Sequence, residues 1–315
     1  MIPSRPIELL RALAVLGEPP TAAHARLADA VGLHGAPTPP EYTEAFVLGL
    51  SPYASVHLGP EGMIGGEARD RIAGFWRAVG QTPPAEPDHL GALLGLYAWL
   101  AERGEGVGND GAPDPSVPPE ATSADAAHAV LVARARDALL HEHIAPWLPM
   151  FLERVESLGG FYAGWAALLA RTVEGELVAA PPPARLPLHL RDAPPLADPR
   201  EEGASAFLAA LLAPVRSGMI VTRFDLVRIA RGLDLGARIG ERRWVLEHLL
   251  GLEPECVLAA LSKHARAAAA AHARRRAVAG DMALWWQARA AATAALLDEL
   301  ADLEAPAASG AAPTP

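Results

Sequence analysis

One cysteine, one lysine and a 5% share of aromatic residues are all that 315 residues contain of those types. Cys256 alone can form neither an internal disulfide nor the four-thiolate cradle of an iron–sulfur cluster or structural zinc site, so a reducing compartment is the expected setting. The sole lysine, Lys263, has no glycine loop before it, which excludes the phosphate-cradling loop of the common nucleotide-binding enzymes. There is no Gly-x-Ser-x-Gly elbow, and Cys256 follows Pro254-Glu255 with no evident base beside it. No nucleophile–base pair stands out, and the chain is expected not to be an enzyme. No uncharged apolar run reaches the roughly eighteen residues that a membrane span needs. Leu9 to Leu16 is interrupted by Arg11 and closed by Gly17-Glu18-Pro19-Pro20, unlike a secretory signal. The expectation is a soluble, cytoplasmic protein.

What is present points to helices. Half of the residues are apolar, enough for a sizeable core. Ile72, Phe75, Trp76 and Val79 recur at i, i+3, i+4, i+7, as do Leu90, Leu93, Leu94 and Tyr97. Ile144, Trp147, Leu148, Phe151, Leu152 and Val155 line a third face, and Phe161, Trp165, Leu168 and Leu169 a fourth. Shorter helices are expected near 6–16, 21–32 and 40–48. Strand-like alternation is absent, so the expected fold class is all-α. Pro and Gly set the breaks: a polar surface loop over 104–119, and an extended Pro-rich linker over 179–200. Helical patterning resumes at 204–213, 223–232, 241–250, 254–278 and 281–303. The expected organisation is a helical domain at 1–178, the linker at 179–200, a C-terminal helical segment at 201–304 and a disordered tail at 305–315.

The formal net charge of −10 weighs against generic nucleic-acid binding and suits a basic partner such as an arginine-bearing peptide, although acidity kept for solubility explains it equally. The stretch Glu86-Pro87-Asp88-His89 lies between a Pro-rich turn and a strongly apolar helix. Pro87 suits a first-turn position, and Asp88 in that same turn would meet exposed amides, so the block reads at minimum as a helix start. Its functional reading is a carboxylate and an imidazole presented to guanidinium groups, since Arg–carboxylate pairs are short and geometrically selective. Ser51-Pro52-Tyr53-Ala54-Ser55-Val56-His57-Leu58-Gly59 reads as a core-lining connection or as the apolar wall of a peptide groove. Trp76 and Trp147 read first as core residues. His141 and His143 flank Glu142 without the helical His-Glu-x-x-His spacing, so no metal site is expected.

These segments, in this order and spacing, resemble the TorD/DmsD family of chaperones for molybdenum redox enzymes. The likeness spans roughly residues 5–178. It is carried by Pro52-Tyr53-Ala54-Ser55-Val56, Phe75-Trp76-Arg77, Glu86-Pro87-Asp88-His89 with its apolar helix, and His143-Ile144-Ala145-Pro146-Trp147 in a helical region ending near Phe161-Tyr162. The loop between Pro and Asp is one residue shorter than the family's usual form, and His57 stands where an aromatic residue is frequent. The resemblance implies an all-helical, non-catalytic protein. Its partner would be the leader peptide, or the apo form, of the catalytic subunit of a molybdenum-dependent oxidoreductase, held until its cofactor is inserted. It further implies that Asp88 and His89 contact the leader, that Pro87 shapes the loop and that Tyr53, Val56, His57 and Leu58 line the groove; Glu86, Trp76 and Trp147 complete the expected peptide-binding set. The chaperone itself would carry no cofactor.

The C-terminal segment lies outside that resemblance. Thr222-Arg223-Phe224-Asp225 has the form of a capping box with Asp for Glu, and Arg238-Ile239-Gly240-Glu241-Arg242-Arg243-Trp244 opens a further helix. Together they admit an alternative, a helix-turn-helix DNA-binding regulator acting through residues 218–250, against which Glu241 and Glu247 would oppose phosphates. Arg274-Arg275-Arg276 reads as a solvated helix face, and Trp285-Trp286 with Leu296, Leu297, Leu300 and Leu303 as packing residues.

Overall fold

A computed structural model describes residues 6–105, 119–236 and 240–304. The expected 104–119 loop falls almost wholly outside the described residues, as do Arg238-Ile239 and the 305–315 tail. Among the described residues every regular element is a helix, so the all-α expectation holds. The chain divides into two compact units, one of Met1–Gly59 and Met63–Arg191, the other of Pro60–Gly62 and Asp192–Pro315.

The first unit begins with α1 (Pro6–Leu16), α2 (Ala22–Ala30) and α3 (Pro39–Tyr42), which runs into a π-helical stretch, π1 (Thr43–Gly49). Then come α4 (Ala54–Leu58), α5 (Gly66–Ala78), α6 (Leu90–Glu105) and α7 (Pro119–Ala138). A second π-helical stretch, π2 (Leu139–Ile144), precedes α8 (Leu148–Glu156), α9 (Gly160–Ala179) and α10 (Leu188–Arg191). Local chemistry starts several of these. Thr21 caps α2 and Thr38 caps α3, each in a reciprocal box with the residue three places on, His24 and Glu41.

The core of this unit is built by the periodic faces read above. Leu90, Leu93, Leu94 and Tyr97 are buried, as are Ile144, Trp147, Leu148, Phe151, Leu152 and Val155. α1 lies against α6 and α9, and α8 against α9. Trp165 on α9 donates its Nε1–H to the Leu13 carbonyl at 2.9 Å, satisfying an indole that is fully enclosed. Two details depart from a single-period reading. Residues 43–49 and 139–144 wind as π-helix. The helix expected to run from Ile144 breaks at 145–147, because Pro146 and Pro149 remove backbone donors there and α8 restarts with Pro in its first turn.

The second unit comprises α11 (Pro199–Glu202), α12 (Ala204–Leu212), α13 (Pro214–Ser217), α14 (Arg223–Gly232), α15 (Arg242–Leu252), α16 (Pro254–Arg274) and α17 (Arg276–Glu304). α16 and α17 pair along their length as a long antiparallel hairpin. Its core joins Phe207, Leu211, Leu226, Val245, Leu249, Val257, Leu261 and Leu297. Gly280, with φ at 50°, kinks α17 between the two helical runs expected at 254–278 and 281–303. Within 179–200, residues Leu188–Arg191 and Pro199–Glu202 form single helical turns.

Candidate functional site

The Glu86–His89 block does not start its helix in the expected way. α6 begins at Leu90, after His89, so Asp88 is not in its first turn. Pro87 and Asp88 occupy the preceding turn, and His89 forms an isolated antiparallel bridge with Tyr53. Around that bridge two helix N-termini cap one another. Leu90 N–H donates to the Pro52 carbonyl at 2.8 Å, and Ala54 N–H donates to the Asp88 carbonyl at 2.9 Å. α4 has no side-chain cap of its own; the Asp88 carboxylate supplies one by accepting from Ser55 N–H at 3.2 Å, across 33 residues of sequence. The physical reason is plain. A helix start leaves N–H groups unpaired, and a buried carboxylate is tolerated where such donors and the positive end of a helix meet it.

His89 takes the role expected of Asp88. Its Nδ1 lies 3.2 Å from Gly91 N–H, in the first turn of α6, and 3.1 Å from Glu18 Oε1. A ring without a proton on Nδ1 accepts from Gly91; a ring protonated there donates to Glu18. The ring also packs edge-on to Tyr53 at 5.0 Å. Trp76, half-buried on α5, donates its Nε1–H to the Pro87 carbonyl at 3.2 Å, and Arg69 reaches the Ala85 carbonyl at 3.0 Å. The 85–89 loop is therefore held from α5 on one side and from 52–55 on the other.

Burial sorts the expected site residues. Asp88 is 1% exposed and His89 6%, so both brace the junction from inside. Val56, His57 and Leu58 are buried too. His57 stacks on Trp147 with ring centroids 5.0 Å apart and contacts the Ser51 carbonyl at 2.9 Å. Trp147 is wholly enclosed and donates to the His143 carbonyl at 2.9 Å. Pro87 is buried, whereas Glu86 is exposed and Tyr53 and Trp76 are half-buried.

Two residues that the sequence did not single out join the exposed side. Tyr42, half-buried at the start of π1, has its phenol pushed up by burial and then by the negative charges of Glu18 and Glu86. Tyr53 is pushed up by burial and by its hydrogen bond to Glu86, with Glu86's charge, Tyr42 and Asp88 adding to it. Glu18, Tyr42, Tyr53 and Glu86 thus form one cluster beside the Asp88–His89 brace. Among the described residues no arginine or lysine pairs with Glu18 or Glu86. Two carboxylates and two aromatic rings without an arginine or lysine among them can take a guanidinium, by pairing and by stacking. Nothing local in sequence marks Glu18, which follows α1 by two residues and is 71 positions from His89.

The remaining histidines do not gather a metal: no group of three or more His, Cys, Asp or Glu is placed to hold an ion among the described residues. His143 and His189 do pack together, with ring centroids 5.5 Å apart. Burial, with His189 beside it, holds the His143 imidazole down at about 3, so that ring stays neutral.

In the second unit the Thr222–Asp225 box forms, Thr222 N–H donating to Asp225 at 2.8 Å. Arg242 at the start of α15 is turned inward to the Val221 carbonyl at 3.0 Å, and Arg243 pairs with Glu247 at 2.9 Å. The basic side chains that a DNA-reading helix would present are spent internally, and nothing favours the helix-turn-helix alternative.

Residues 22–153, all within the first unit apart from Pro60–Gly62, match the family model described as nitrate reductase delta subunit. No curated protein matches the sequence.

Proposed function

From the match of residues 22–153 to the nitrate reductase delta subunit model, and from the chain's resemblance to maturation chaperones of redox enzymes, we propose that this chain binds the leader segment of a molybdenum oxidoreductase's catalytic subunit. It holds the unfinished subunit in the cytoplasm until cofactor insertion is complete and performs no chemistry on it. The observation that carries this reading is the cluster of Glu18, Glu86, Tyr42 and Tyr53, whose carboxylates meet no arginine or lysine among the described residues. Paired arginines of a leader would meet the two carboxylates, and their planar guanidinium groups would lie on the tyrosine rings. Asp88 and His89 act one step back. They fix where α4 and α6 begin, and so where Tyr53 and Glu86 stand. Val56, His57, Leu58 and Trp147 form the packed floor of that arrangement, and Trp76 pins the loop.

Titration calorimetry tests it with synthetic leaders bearing paired arginines, taken from molybdenum oxidoreductase catalytic subunits of the same genome. Saturable binding that weakens with added salt is expected, because exposed charge pairs are screened. If none of those leaders binds, the leader-binding reading falls.

A further inference from the structure

Met63 and Ile64 are large apolar side chains left 68% and 62% exposed, side by side in sequence. The chain is held just beyond them. Gly65 and Gly66, with φ at 102° and 68°, follow immediately, and Gly65 N–H is fastened to the Ser55 hydroxyl at 3.1 Å. Those glycines adopt conformations that other residues rarely take, which permits the sharp turn that follows the tip. Ser55 is the residue whose own N–H the Asp88 carboxylate accepts, which places the tip two hydrogen bonds from the brace. A few residues on, Arg69 reaches the Ala85 carbonyl beside Glu86. Both ends of 65–69 are therefore hooked to the segments that carry the acidic–aromatic cluster. Two adjacent apolar side chains held out in water are an unfavourable arrangement that a partner surface would relieve.

We propose that Met63 and Ile64 form an apolar shelf that receives the hydrophobic segment of the leader whose arginines occupy the Glu18–Glu86 cluster. The inference rests on the leader-binding reading. Charge complementarity chooses the occupant. An export leader is a short cationic stretch joined directly to an apolar one, and here an anionic cluster and an apolar tip are tied to the same Ser55–Asp88 junction. A second copy of this chain, net acidic, would meet the acidic side with like charge.

Two synthetic peptides and two forms of the full-length chain test the proposal. One peptide is a leader with paired arginines and its native apolar segment; the other has that segment replaced by Ser and Gly. The proteins are the wild type and the Met63→Ser/Ile64→Ser double variant, whose unfolding temperature is checked against wild type. The variant should bind the complete leader about tenfold or more weakly, and bind the apolar-deleted peptide within about twofold of wild type. A photoreactive group in the apolar segment should label residues 63–64 in the wild-type chain. Equal affinity of both proteins for the complete leader, or labelling elsewhere, overturns the shelf while leaving the leader-binding reading intact. If neither peptide binds wild type, both readings fall together.

Discussion

Acidification should open the first unit in the part that carries π2 and α8, and His143 sets the size of the effect. Its imidazole is buried against Phe75 and His189, which holds it at about 3 against 6.5 for an ordinary histidine. Above about 6.5 the ring is neutral in both folded and unfolded chains, and the stability tied to it is fully present. As pH falls below that value the unfolded chain takes up a proton that the folded chain refuses, so stability is lost progressively down to about 3. At pH 5 the loss relative to pH 7 comes to about 2 kcal/mol, a roughly thirtyfold rise in the opening equilibrium. His141, also pushed down by burial, acts in the same direction, so the informative quantity is the difference from a His143→Phe variant. Hydrogen exchange of the α8 amides in the full-length chain, corrected for intrinsic exchange rates, reads that difference unit by unit. The variant should lose about 2 kcal/mol of the pH dependence between 7 and 5. A variant that keeps the wild-type slope would falsify the assignment of the effect to His143.

Glu86→Gln removes an exposed charge while leaving an amide oxygen that can still accept from Tyr53, so unfolding should be unchanged while leader affinity falls about three- to tenfold in calorimetry. Unchanged affinity would take Glu86 out of the binding surface. Asp88→Ala should behave differently. It leaves Ser55 N–H without its acceptor in a buried junction and should cost about 1–3 kcal/mol of stability in the first unit, with faster amide exchange at Ala54–Leu58. A variant of wild-type stability that merely binds leader less well would mean that Asp88 touches the ligand directly. Thr222→Ala should cost about 1–2 kcal/mol in the second unit, because it removes the hydroxyl that accepts from Asp225 N–H and donates to the buried Asp225 carboxylate. Chemical denaturation followed through Trp285 and Trp286 reads it, and a loss well below 1 kcal/mol would argue against the cap's importance.

Much of the fold was legible because helical order is local. A period of 3.6 residues placed Leu90–Tyr97 and Ile144–Val155 on buried faces, and Thr222 three residues before Asp225 announced its own cap. The π-helical stretches were not legible: an extra residue per turn leaves no mark in an apolar pattern only one or two turns long. The Asp-His block was visible as chemistry, but which helix each of its side chains serves was not. Asp88 next to a helix start reads as that helix's cap, and only the bridge to Tyr53 shows that the carboxylate serves α4 while His89 serves α6.

By itself the sequence determined the all-helical class, the lack of a second cysteine and of a phosphate-cradling glycine loop, and the Glu86–His89 motif with its apolar helix. Each of those depends on residues within a turn or two of one another. Tertiary structure alone decided which side chains of the site face outward. It buried Asp88, His89 and His57, brought Glu18 and Tyr42 in beside Glu86 from distant elements, and left Met63 and Ile64 exposed. Exposure and convergence are properties of packing between segments, and no spacing along one segment encodes them.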